Sequence, residues 1–200
     1  MTIDGVPLKL GYYMVDAVNT TQMNLKVHNG VIPITVESLH RSLGLPTGGI
    51  DLANEESLDV DDNLTLFWRR QFINGRMTPH DIINEIRRTK VGDIKFMLNF
   101  LVLVVNTLGE CSRTGQCKTE FLKKITGVHM IPEIDWSKYI YDCIPNSKTN
   151  WKRENSWAFY AGPLTFLMMR WRAKKNQDDK GILMMRTMEM YYGELGTKWV

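Results

Sequence analysis

The sequence predicts a mainly α fold: a compact multi-helix single domain, residues 1–200, with one small β-hairpin near the N-terminus. Three observations lead there. Apolar residues recur at helical spacing through most of the chain, Gly and Pro punctuate those runs at capping positions, and strict alternation around a tight-turn signal occurs only near residues 23–34. At 200 residues and 44% hydrophobic side chains, the chain is long enough to bury a sizeable core.

Pro7 to Val18 forms a short amphipathic stretch. Met23, Leu25 and Val27 then alternate with polar residues as a half-buried strand requires, Asn29-Gly30 supplies the turn, and Val31 to Ile34 return. Thr35 is placed to cap a helix with Val36, Leu39 and Leu43 inside and Gly44 as its stop. Residues 44–63 form an acidic loop with almost no apolar periodicity, expected to be exposed and mobile. Leu64, Phe67, Trp68 and Phe72 give a helix ended by Gly75, and Thr78-Pro79 opens another with Ile82, Ile83 and Ile86 on one face. Asp93 to Leu108 is apolar on every face, as expected of a central helix packed all round. A polar connector, Gly109 to Gln116, precedes a short helix at Glu120 to Ile125. Asp135 caps a helix expected to stop at Pro145, and C-terminal helices span 163–192, the last from Ile182 to Tyr192.

Charge excludes a general polyanion binder, because 25 bases face 22 acids. Six of those acids lie between Asp51 and Asp62 with no base among them, so the remaining 16 acids leave the rest of the chain at +9. Three cysteines cannot form an even disulfide framework and the N-terminus lacks a signal-peptide pattern, which points to an intracellular location, cytoplasm or nucleus. The most apolar run, Phe96 to Val105, is far short of the roughly 20 residues that span a bilayer, so no membrane partner is expected.

Several ordered motifs carry a family resemblance: Met14-Val-Asp16, His28-Asn-Gly30, Ile32-Pro-Ile-Thr35, Val36-Glu-Ser-Leu-His40, Leu43-Gly-Leu-Pro-Thr-Gly-Gly49, the apolar helix to Leu108, Ile134-Asp-Trp-Ser-Lys-Tyr-Ile140 and Gly162 to Trp171. Over residues 14–171 the chain resembles the plant mobile domain, an aminotransferase-like, transposon-linked family. It departs from that family at Leu108-Gly-Glu-Cys111, where the family often has Leu-Cys-Pro, and at Ala161-Gly162, where the family has two glycines. The resemblance implies an isolated, domesticated transposon-derived domain without a catalytic module. No lysine stands out as a Schiff-base residue for pyridoxal phosphate, so no cofactor is expected.

Cys111, Cys117, His129 and Cys143 are residue types that zinc prefers, but Cys-x5-Cys is wider than the usual knuckle and Cys143 sits in an apolar helix, so no metal is expected. His129, Asp135 and Cys143 supply the types of a thiol hydrolase without a nucleophile motif, which leaves it a second alternative and no catalytic residue is assigned. His28, His40 and His80 read as turn or packing residues. Bases interleaved with aromatics, at Trp68-Arg-Arg70, Arg76, Arg87-Arg-Thr-Lys90 and Arg170 to Lys175, make a nuclear nucleic-acid-associated role the first alternative.

The expectation is a non-enzymatic protein-interaction module that regulates or neutralises another protein, antidote-like, with a small homo-oligomer as a further partner state. Its protein-binding surface is placed on Arg170, Arg172, Lys174 and Lys175 together with Met184, Met185, Met188, Tyr191 and Tyr192, where charge borders soft apolar area.

Overall fold

Leu25 and Ile32 belong on the inner side of a hairpin, and burial of these two residues is what gives the N-terminal sheet its register. The computed structural model describes residues 8–28, 30–58, 63–72, 75, 77–112, 114–149, 151–152 and 159–176. Helix α1 (Leu8–Ala17) runs into strand β1 (Val18–Asn19), which pairs antiparallel with β2 (Asn24–Val27), and β2 pairs with β3 (Gly30–Pro33). The expected hairpin is therefore two strands of a three-stranded sheet. Two residues are too few to show alternation; β1 is instead turned into place by Asn19, whose side chain accepts from the backbone of Thr21 and Gln22 at 3.0 Å. On the outer strand β3, Pro33 has no N–H to offer, and Arg170 donates to its carbonyl at 3.4 Å, so that edge is protected against further pairing.

Helix α2 (Val36–Leu43) follows a reciprocal capping box: Thr35 Oγ1 accepts from Ser38 N–H and Ser38 Oγ from Thr35 N–H, both at 3.0 Å. Gly44 closes it in the left-handed conformation at φ +69°. The chain then departs from the expected mobile loop, because residues 45–52 are clamped along the start of helix α6 (Trp136–Thr149). Ile50 N–H donates to Glu133 O at 2.7 Å, Asp135 N–H to Ile50 O at 2.9 Å, and Ser137 N–H to Pro46 O at 3.0 Å. Leu52 is buried in the core and Leu58 N–H donates to Lys123 O at 2.9 Å. Backbone pairing carries this loop, which a search for apolar periodicity does not detect.

Helix α3 (Asn63–Arg69) ends well before Gly75, because Gln71 Nε2 turns back to cap the Trp68 carbonyl at 2.8 Å. Helix α4 (Pro79–Arg88) starts at Thr78 as expected, and α5 (Ile94–Leu108) at Asp93. Trp68 and Asn99 are fully buried between α3 and α5. Trp68 Nε1 donates to Asn99 Oδ1 at 2.8 Å, and the Asn99 and Gln71 amides pair with each other at 2.9 Å in both directions. A polar residue inside the most apolar helix is thus fully satisfied.

Two 3-10 turns, Glu120–Lys124 and Val128–Glu133, lead into α6. Contrary to expectation, α6 continues through Pro145 to Thr149. Proline removes one intrahelical bond, but Ile140 and Ile144 are buried, Thr149 Oγ1 donates to Pro145 O at 3.0 Å, and Lys148 Nζ donates to Val15 O, which hold the last turn. Residues 164–176 form a helix, α7, after Gly162-Pro163, as expected. The helix expected at Ile182 to Tyr192 lies outside the described residues.

The core has two parts. Leu52, Trp68, Ile82, Leu98, Phe121 and Ile134 anchor one; Met14, Leu25, Leu39, Ile144, Phe166 and Leu167 anchor the other. Leu45 and Tyr139 pack against both. The fold is mainly α with a small N-terminal antiparallel sheet. Among the described residues no helix is long and apolar enough to cross a membrane.

Candidate functional site

The clamped loop creates a cleft of about 390 Å³ between residues 51–57, Glu110, the Glu120–Lys124 turn and α6. Its floor is aromatic, with the Phe121 and Tyr139 rings 6.1 Å apart and tilted by 58°. Asp51, Glu110, Glu120 and Asp142 line it, and three of these carboxylates are paired with lysines. Lys138 Nζ lies 2.6 Å from Asp142 and 3.4 Å from Asp51, and Lys123 pairs with Glu120, while burial, reinforced by Glu110, pushes the Tyr139 phenol up. The Asp142 hydrogen bond holds the Lys138 ammonium above its ordinary pKa. Lys124 is tied to the Leu52 carbonyl at 2.7 Å. Three of the four carboxylates that line the cleft are thus charge-compensated.

The thiols are similarly quiet. Burial, reinforced by Glu110, pushes Cys143 up to about 12; burial, reinforced by Asp81, pushes Cys117 up to about 11; burial also raises Cys111. A neutral thiol is a poor nucleophile, and His129 is exposed rather than buried with Cys143. Among the described residues no three His, Cys, Asp or Glu side chains converge as a metal site. At pH 8, Cys143 and Cys117 are expected to alkylate with iodoacetamide far more slowly than in the denatured chain, as followed by mass spectrometry. Comparable rates would show that the thiols are not buried. The folded state holds these protons more tightly than the unfolded chain. Their contribution to stability is therefore full below about pH 9 and declines as the pH rises towards 11 and 12, which alkaline denaturation would register.

His40 Nδ1 bonds the Leu45 carbonyl at 2.6 Å and so positions the clamped loop, while His28 and His80 are exposed. Trp68 is buried and unavailable for stacking on a base, and Arg69 donates to Thr119 at 3.0 Å. In the expected C-terminal surface, half-buried Arg170 is directed to β3, Lys175 lies 5.7 Å from the Trp171 ring, Lys174 borders β3, and Arg172 is exposed. Met184, Met185, Met188, Tyr191 and Tyr192 lie outside the described residues.

The surface that the sequence reading missed is on α5. Leu98, Leu101, Val102 and Val105 face inward, but Ile94 is 43% and Phe100 59% exposed, with half-buried Met97 and Val104 continuing the ridge. Spacings of three and four residues put Met97, Phe100 and Val104 on one side of the helix, and Ile94 is exposed beside them in its first turn. The helix is therefore not packed all round, and apolar residues on every face do not reveal which face lacks a neighbour. Val91, 69% exposed, extends the ridge at its N-terminal end; on the far side of α5, the Lys95 ammonium lies 5.0 Å from the Phe67 ring. Arg87 and Lys90 are exposed at this same end and form no ion pair among the described residues, whereas Arg88 pairs with Glu85 at 2.8 Å.

A family model described as "Domain of unknown function (DUF8566)" matches residues 1–168. No curated protein and no solved structure matches the chain. The family match overturns the resemblance to the plant mobile domain, and with it the inference of a domesticated transposon origin. The motifs behind that resemblance have local structural jobs that unrelated helical chains share. Thr35 and Asp135 cap helices, Gly30 begins the returning strand of a hairpin, and Gly49 permits close backbone approach.

Proposed function

We propose, starting from the fact that the chain belongs to the DUF8566 family, that it acts as a non-enzymatic protein-interaction module which binds and regulates another protein. The observation that carries this reading is the α5 ridge, where Phe100 stands 59% exposed in the middle of the most apolar helix. Water against such a ridge is unfavourable, and a partner that covers it gains the burial free energy. The three lysine-paired carboxylates of the cleft and its buried, protonated Cys143 thiol favour binding over catalysis. The three free thiols support a reducing compartment, cytoplasm or nucleus.

Phe100→Asp tests the reading. Phe100 contributes little to the core, so the variant is expected to keep its circular dichroism spectrum and melt within a few degrees of the parent. Removing an aromatic anchor is expected to weaken partner binding by about 2 kcal/mol or more. Affinity purification from native tissue, with parent and variant as parallel baits and quantitative mass spectrometry, reads the difference. Identical partner sets from both baits would sink the assignment.

A further inference from the structure

Resting on the α5 ridge as the docking face, we infer that the partner's contacting segment is an acidic amphipathic helix. Its apolar side chains would lie on Ile94, Met97, Phe100 and Val104, with Asp or Glu residues bordering them at the end that meets Arg87 and Lys90. The ten steps from Ile94 to Val104 rise about 15 Å, which three turns of a partner helix cover, and anchors at three- and four-residue spacing complement such a ridge.

Charge selects the chemistry. Arg87 and Lys90 are exposed and without an ion pair among the described residues. Of the neighbouring acids, Glu85 holds Arg88, and Asp93 caps α5, its Oδ1 accepting from Phe96 N–H at 2.8 Å. Acids on the ligand therefore meet two cations that no described residue pairs with, and a basic helix meets repulsion. A second copy of this chain fits less well. Packed antiparallel across Phe100, the basic end of one ridge faces the Thr107 end of the other, where the nearest acid, Glu110, is half-buried in the cleft lining. Packed parallel, the two basic ends coincide. Nucleic acid would satisfy the cations but leave the apolar ridge between them unmatched.

Selection from a displayed library of helical peptides with randomised surfaces, using the full chain as bait, tests this. Enriched peptides are expected to carry apolar anchors bordered by Asp or Glu. Chosen peptides, made synthetically and titrated by fluorescence anisotropy, are expected to bind Phe100→Asp about thirtyfold more weakly. They are expected to bind the Arg87→Glu, Lys90→Glu double variant about tenfold more weakly, with affinity falling as salt rises. Circular dichroism of both variants checks that they remain folded. Enriched peptides that are basic or indifferent to the charge reversal would overturn the acidic chemistry while leaving the docking face intact. Peptides that bind Phe100→Asp as tightly as the parent would overturn the docking face itself. A concentration-dependent dimer abolished by Phe100→Asp, or tight oligonucleotide binding lost in the double charge variant, would assign the surface to a second copy or to nucleic acid. Absence of enrichment over an unrelated helical bait would also overturn the inference.

Discussion

Trp68→Ala is expected to destabilise the fold by about 3–5 kcal/mol, the range for removing a large aromatic from a packed interior. Trp68 is fully buried, its ring meets Phe72 edge-on at 5.1 Å, and its Nε1 bonds Asn99 at 2.8 Å. Truncation opens a cavity between α3 and α5 and takes one donor from Asn99, although the paired Gln71 amide keeps Asn99 partly satisfied. Against a typical total stability of about 5–15 kcal/mol, a loss of this size removes a large share of it. Trp68→Phe keeps most of the volume and is expected to cost less. Denaturant titration followed by far-ultraviolet circular dichroism compares the three proteins. A cost below about 1 kcal/mol for the alanine variant would mean that α3 does not pack on α5 as described.

Gly49→Ala is expected to cost about 1–3 kcal/mol through steric overlap, and to release the loop from α6. A Cβ at Gly49 would stand 1.9 Å from the Glu133 carbonyl oxygen, which also accepts the Ile50 N–H, and 3.3 Å from Asp135 N. Backbone on both sides leaves no flexible side chain to yield, so relief requires breaking the Ile50 and Asp135 bonds. Gly48→Ala beside it is a useful contrast. Nothing lies within 4 Å of that Cβ, and its cost of about 1 kcal/mol comes from the left-handed backbone at φ +80°. Hydrogen exchange at the Ile50 and Asp135 amides separates the two. Gly49→Ala is expected to accelerate exchange at both, and protection equal to the parent's would disprove the close approach.

The cleft and the ridge were not legible in the sequence to the same degree. Tyr139, Asp142 and Cys143 share one helix, and their proximity to one another is implied by helical spacing alone. Their meeting with Asp51 and Glu110 depends on where the 45–58 loop is tied down, and that is decided by Asp135 Oδ2 accepting from Gly48 N–H at 2.8 Å across 87 residues. Capping was legible for one of that carboxylate's two bonds, the one to Lys138 N–H at 2.7 Å; the second carries no sequence signal. Pro145 shows the limit in the other direction. A local rule predicts a stop, while burial of Ile140 and Ile144 against the second core part keeps the helix going.

The sequence by itself determined the helical class, the hairpin turn, the Thr35 and Thr78 caps, the Gly44 stop and the helix beginning after Gly162-Pro163. These depend on backbone preferences and hydrogen bonds within a few residues of each other. Tertiary structure alone decided that residues 45–52 of the acidic loop are clamped, that four carboxylates meet at one cleft, and that α5 leaves Phe100 in solvent. A side chain's periodic position says which neighbours it can reach along its own helix. Whether another element arrives to cover it is set by long-range packing, which local spacing does not encode.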